Sequence, residues 1–166
     1  MRRPLFLLAM LLAAGLARAE PFEAPRLGAA SNFGQGWQPE VLDAAAALGV
    51  RDFRDAVYWD MVEQDGRYRF RGYRVLYPQL LEARGMAMSL TVNNGHPDHD
   101  GGATPHTPDG VAAFAEYAAA ATDRFPAVEA VEVGNEMNSA TFTSGPTRDA
   151  DIGGTGRDYT ALLRAA

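Results

Sequence analysis

Residues able to hydrogen-bond and to move protons recur in this sequence at the ends of short apolar runs. Ser31 and Asn32 close Leu27-Gly28-Ala29-Ala30, and Arg54, Asp55, Tyr58 and Trp59 end the segment that begins at Val50. Asn93, Asn94 and His96 follow Met86 to Val92, and Asn135, Glu136 and Asn138 follow Val128 to Val133. Amides and carboxylates read hydroxyl groups by hydrogen bonds, and aromatic rings such as Trp37, Tyr58 or Trp59 cover C–H faces, so this inventory suits a carbohydrate. Cleaving a glycosidic bond takes two carboxyl groups, one protonated to help the leaving oxygen depart and one to attack the anomeric carbon. Glu136 fits the first role. It follows an apolar strand, which is expected to shield it from water, and its neighbour Asn135 can orient a hydroxyl.

The elements that must position these groups alternate. Strands are expected around Leu27–Ala30, Val50–Val57, Met86–Val92 and Val128–Val133, the first buried on both faces. Helices are expected from Pro39 to Leu48, with Val41, Leu42, Ala45 and Leu48 on one face, and from Tyr73 to Arg84, with Val75, Leu76, Leu80 and Leu81 inward. A third runs from Pro108 to about Arg124, and a fourth is capped by Asp158. Loops occupy 34–37, 59–72, 93–107 and 137–157. This β-α order, without a β-hairpin signal, predicts an α/β fold with a parallel sheet. In such folds active sites lie at the C-terminal ends of the strands, where the polar residues fall. Four βα units are about half of a (β/α)₈ TIM barrel, which needs about 250 residues, and the last helix reads as cut short at Ala166. The chain is therefore expected to be a truncated half-barrel with two open sheet edges.

Residues 1–19 read as a cleavable signal peptide: Arg2 and Arg3, an apolar run from Pro4 to Leu16, then Ala17-Arg18-Ala19 before the cut. The expected organisation is a signal at 1–19 and one domain over 20–166, secreted or periplasmic, with no membrane attachment after cleavage. The net charge is −6 and there is no cysteine. An acidic chain excludes nucleic acid as an expected partner, and the lack of thiols excludes disulfides and thiolate metal sites.

The run Val131-Glu132-Val133-Gly134-Asn135-Glu136-Met137-Asn138 resembles the strand-four signature of the clan of (β/α)₈ retaining glycoside hydrolases. Gly49-Val50-Arg51-Asp52-Phe53-Arg54, followed by Trp59, Val62-Glu63, Gly66, Tyr68 and Phe70, resembles the clan's strand-two region. Within the clan the chain is most similar to family 39, including exopolysaccharide hydrolases, and next to family 5. The resemblance implies that Glu136 is the catalytic acid/base, that Asn135 bonds the sugar 2-hydroxyl, and that Arg54 points into the site. Trp59, Asn94, His96 and Asn138 are the further expected substrate contacts. The clan's nucleophile, a Glu ending strand seven, has no counterpart here. Glu132 is four residues away on the same strand and is expected to be buried or to face the helices.

Other readings of single features remain beside these. Arg54 could be an arginine buried against Asp55 or Asp52. His96-Pro97-Asp98-His99-Asp100 and His106 include metal-ligand types, but they sit in a Gly-Pro loop where Asp98 and Asp100 are turn formers, so no metal is expected. Asp151-Ile152-Gly153-Gly154-Thr155-Gly156 lacks the Lys and Ser/Thr of a phosphate loop and reads as a flexible loop. No cofactor is implied. The leading expectation is hydrolysis of O-glycosidic bonds in a poly- or oligosaccharide. The alternatives are a non-catalytic carbohydrate-binding half-barrel, self-associating through its open edges, or an inactive gene fragment.

Overall fold

In the computed structural model, which describes residues 24–92 and 95–166, four strands form one parallel sheet. They are β1 (Leu27–Ala30), β2 (Val50–Ala56), β5 (Ala87–Val92) and β6 (Val128–Val133), in the order β1-β2-β5-β6. Each successive strand joins the edge of the one before, with helical segments between: α1 (Glu40–Ala47), α2 (Trp59–Val62), α3 (Tyr73–Glu82) and α4 (Pro108–Arg124). Two more helices follow β6, α5 (Gly145–Asp149) and α6 (Ile152–Ala165). The expected signal peptide lies outside the described residues. Among the described residues no helix is long and apolar enough to cross a membrane.

Side chains alternate across a strand, so the two faces of this sheet differ. Phe53 and Val57 of the second unit, with Met88, Leu90 and Val92 of β5, enter the core against Leu42, Val75, Tyr77, Leu81, Phe114, Tyr117, Ala118 and Ala121 from the helices. The opposite face presents Arg54, Ser89 and Glu132, all half-buried, and Thr91, which is buried. The sheet curls toward that face. Arg26, just before β1, donates to Glu129 of β6 at 2.7 Å and also pairs with Asp52 at 3.0 Å, although β1 and β6 are the two edges of the sheet. A register shift between Met88 and Ser89 in the β5–β6 pairing falls beside Glu129.

Four sequence expectations need correction. β1 is an edge strand with Leu27, Gly28 and Ala30 exposed, not buried on both faces. On α1 only Leu42 is fully buried, while Val41 and Leu48 face out. The loop after β2 contains a hairpin, β3 (Glu63–Gln64) with β4 (Arg67–Tyr68), turned by Asp65 and Gly66, both at positive φ. Finally, the glycine-rich 151–156 segment is the start of α6, not a loop. Asp151 caps it through Oδ1, which accepts from the Gly154 N–H at 2.7 Å. Glycines are poor helix formers, which hid the helix. A Cβ on Gly154 would meet the Ala150 Cβ at 2.7 Å, so close packing explains one of them.

Candidate active site

Arg54 organises the polar face. Its Nε and one terminal nitrogen donate to both oxygens of Glu132, each at 2.6 Å, and that nitrogen also donates to Asn135 Oδ1 at 2.8 Å. The bond reaches from β2 to β6 across β5, where the Thr91 hydroxyl also approaches Glu132 at 3.4 Å. The Glu132 bond holds the Arg54 guanidinium above its ordinary value, burial opposing it. The same bond holds the Glu132 carboxyl below the usual carboxylate range. Glu132 thus faces the open side and not the helices, and Arg54 pairs with it and not with Asp55 or Asp52.

Asp55 points the other way and ties β2 to the end of β1. It accepts from the Ser31 hydroxyl at 2.8 Å and from the backbone N–H groups of Phe33, at 2.6 Å, and Ala56, at 2.7 Å. Burial pushes its carboxyl up, against the lowering effect of these bonds. A cavity of about 220 Å³ opens between these two systems, lined by Ser31, Asn32, Arg54, Tyr58, Asn135 and Phe142 among others. Phe142, Thr91 and Glu132 were not singled out as site residues by sequence. For Glu132 the signal was available, since β-alternation puts it on the face of Ala130 and not of Val131.

Glu136 lies one residue beyond Asn135. It is exposed, not shielded, and its carboxylate makes no hydrogen bond or ion pair among the described residues. Its φ is +45°, a left-handed backbone unusual for a residue with a side chain. Gly134, two residues earlier, has φ +79°, and a Cβ there would meet Met137 Cγ at 2.5 Å. The chain therefore turns sharply off the end of β6, and Glu136 sits in that turn. It lines a second cavity of about 360 Å³ with Glu132, Asn138 and Tyr159.

The other expected contacts divide. Asn138 is exposed near Glu136, and Asn94 lies outside the described residues. Trp59 and His96 are buried, at 1% and 4% exposure. The Trp59 ring stacks on Tyr117 and His99, with centroids 5.4 and 5.0 Å away, and its Nε1 donates to Glu63 Oε2 at 2.6 Å. His99 Nε2 lies 3.2 Å from Glu63 Oε1, and His96 Nε2 lies 3.3 Å from the Glu63 backbone oxygen. Among the described residues, Glu63, His96 and His99 are the group whose donor atoms come close enough to hold a metal.

The fold is α/β, a curled parallel sheet with polar groups at the C-terminal ends of its strands. One solved structure that shares it is described as a family 39 glycoside hydrolase from the gut symbiont Bacteroides cellulosilyticus WH2, with a TM-score of 0.58 and 15% identity. The alignment covers 84% of this chain and 29% of that one, so the chain spans less than a third of its neighbour's length. No family model and no curated protein matches the chain.

Proposed function

We propose that this chain furnishes four consecutive units of a (β/α)₈ barrel and carries the acid/base side of a retaining glycosidase site. The observation that carries the reading is the hydrogen-bonded line from Glu132 through Arg54 to Asn135, with Glu136 as the next residue. Because Arg54 donates to Asn135 Oδ1, the Asn135 amide protons are left to donate to a sugar hydroxyl. Glu136 would protonate the departing glycosidic oxygen and then deprotonate water. Glu132 is a poor nucleophile candidate, being held by Arg54 on the same strand as Glu136, whereas the two carboxyls of a retaining enzyme flank the sugar about 5–5.5 Å apart. The attacking carboxylate is assigned to strand seven of the complete barrel. Export after cleavage at residue 19 belongs to the same proposal.

In this reading Arg54, Asn135, Glu136 and Asn138 meet the sugar, with Tyr58 at the cavity wall, while Trp59 and His96 support the site from beneath. The test is oligosaccharide binding and turnover by Asn135→Ala and Glu136→Gln variants of the complete barrel. Loss of turnover in Glu136→Gln with sugar binding retained supports the assignment, and undiminished turnover removes it.

One observation favours a second reading, a carbohydrate-binding half-barrel without catalysis. Glu132 is engaged by Arg54 and Asp55 by Ser31, so Glu136 is the one carboxylate of this site left open among the described residues. Light scattering separates the two, since a monodisperse dimer that binds sugar without turnover favours the second.

A further inference from the structure

Glu63 ends α2 and begins the hairpin, and His96 and His99 stand one turn apart in the loop after β5. The two segments are over thirty residues apart in sequence, yet one donor atom from each of the three residues falls within 4.8 Å of the others. We propose that Glu63, His96 and His99 form a binding site for a borderline divalent cation of the zinc class, strapping the hairpin to the loop after β5.

The donor set selects the metal class. Two imidazoles and one carboxylate suit zinc, copper or nickel, whereas calcium and magnesium want oxygen donors throughout. The spacing of His99 and Glu63 is close to what such an ion needs, and His96 completes the set within 4.8 Å. His99 Nε2 is 3.2 Å from Glu63 Oε1, and two ligands at about 2.0–2.1 Å from a tetrahedral zinc are about 3.4 Å apart. The carboxylate is buried, and its other oxygen is fixed by the Trp59 N–H at 2.6 Å. An oriented carboxylate of this kind is the outer support that metal ligands ordinarily have.

His96 requires one rearrangement. With Nδ1 accepting from the Asp98 N–H at 3.2 Å, its proton is on Nε2, facing the Glu63 carbonyl at 3.3 Å. Moving that proton to Nδ1 frees Nε2 for the metal and turns the Nδ1–H toward the Asp98 carboxylate, 3.9 Å away. A small shift of the Asp98 side chain that closes this distance would complete the carboxylate–histidine–metal arrangement typical of zinc sites. Three protein ligands leave a fourth position for water. Two of the three ligands stand together in the histidine loop of the sequence, whereas only the fold brings Glu63 near them.

The chain has three histidines and no cysteine, which makes the test direct. Zinc chloride is titrated into the purified chain, carrying no histidine tag, while the imidazole resonances are followed by NMR. The proposal expects saturation at one equivalent, with both His96 and His99 shifting and His106 unmoved. His106 serves as the internal reference because its Nδ1 faces the Thr104 oxygen at 2.9 Å, outside the cluster. In calorimetry, Glu63→Gln is expected to bind zinc at least tenfold more weakly than the parent chain, and His99→Ala to lose binding. No saturation in the parent chain, or shifts confined to one imidazole or extending to His106, overturns the site without needing any variant to fold.

Discussion

Arg54 and Glu132 meet across an intervening strand, guanidinium to carboxylate, through two bonds of 2.6 Å. A strand lies about 4.8 Å from its neighbour, so the pair spans β5 only because the sheet curls and because both side chains are long. The pair also places Arg54 to hold Asn135. Its two side chains are 42% and 39% exposed, so water screens it and its contribution to stability is at most about 1 kcal/mol. Its larger effect is geometric.

Glu132→Gln should therefore lower stability only slightly at neutral pH but loosen Arg54 and, through it, Asn135. The folded Glu132 carboxyl is depressed, so its stabilisation is present above the unfolded carboxylate value of about 4.3 and is lost as pH falls through the lower folded value. Thermal melts of the parent and Glu132→Gln chains should differ at about pH 6 and converge as pH falls below the depressed folded value.

Asp55 has the opposite sign. Burial raises its folded value, so its favourable contribution is complete below about 3.9 and declines as pH rises through the folded value. Relative to the parent, Asp55→Asn should gain stability as pH rises from about 3.9 through the raised folded value. Asp55→Ala removes the acceptor for Ser31 and Phe33 altogether and should cost about 1–3 kcal/mol by chemical denaturation.

Tyr77 and Tyr117 are buried, and burial pushes both phenols up, while Tyr68 is pushed up to about 12. In an alkaline titration followed by tyrosinate absorbance, these three of the six tyrosines should ionise last. Tyr77 and Tyr117 should ionise only together with unfolding. Tyr117 donates to the Val57 oxygen, so Tyr117→Phe should cost about 1 kcal/mol.

Glu136 occupies a left-handed conformation at φ +45° that suits glycine. Glu136→Gly should raise the unfolding free energy by up to about 1 kcal/mol while removing the carboxylate. A residue that costs stability where it stands is what a functional position predicts, and a Glu136→Gly chain less stable than the parent would remove that argument.

The parallel βα order was legible because β5 is an apolar run and β6 is rich in valine, both bounded by Gly, Pro or Asn, and because Thr107 and Pro108 open α4 in the expected way, the Thr107 hydroxyl accepting from the Gly110 N–H at 3.1 Å. Asn135 and Glu136 were legible by their place after β6. The hairpin at Glu63 was not, since strands of two residues carry no periodicity, and its turn, Asp65-Gly66, was read as part of a loop. The burial of Trp59 and His96 depends on a stack with Tyr117 and His99 contributed from three segments of the chain, which no local pattern records. The exposure of Glu136 follows from the turn at Gly134, where a positive φ redirects the chain.

The central claim is that Glu136 delivers the proton to the leaving oxygen, and the most direct measurement compares parent and Glu136→Gln forms of the complete enzyme on two kinds of glycoside. With an ordinary sugar leaving group, kcat/KM should fall by about 10²-fold or more. With an acidic aryl leaving group, which departs without a proton, bond cleavage should fall far less. Equal activity of the two forms on the sugar-leaving substrate would contradict the assignment.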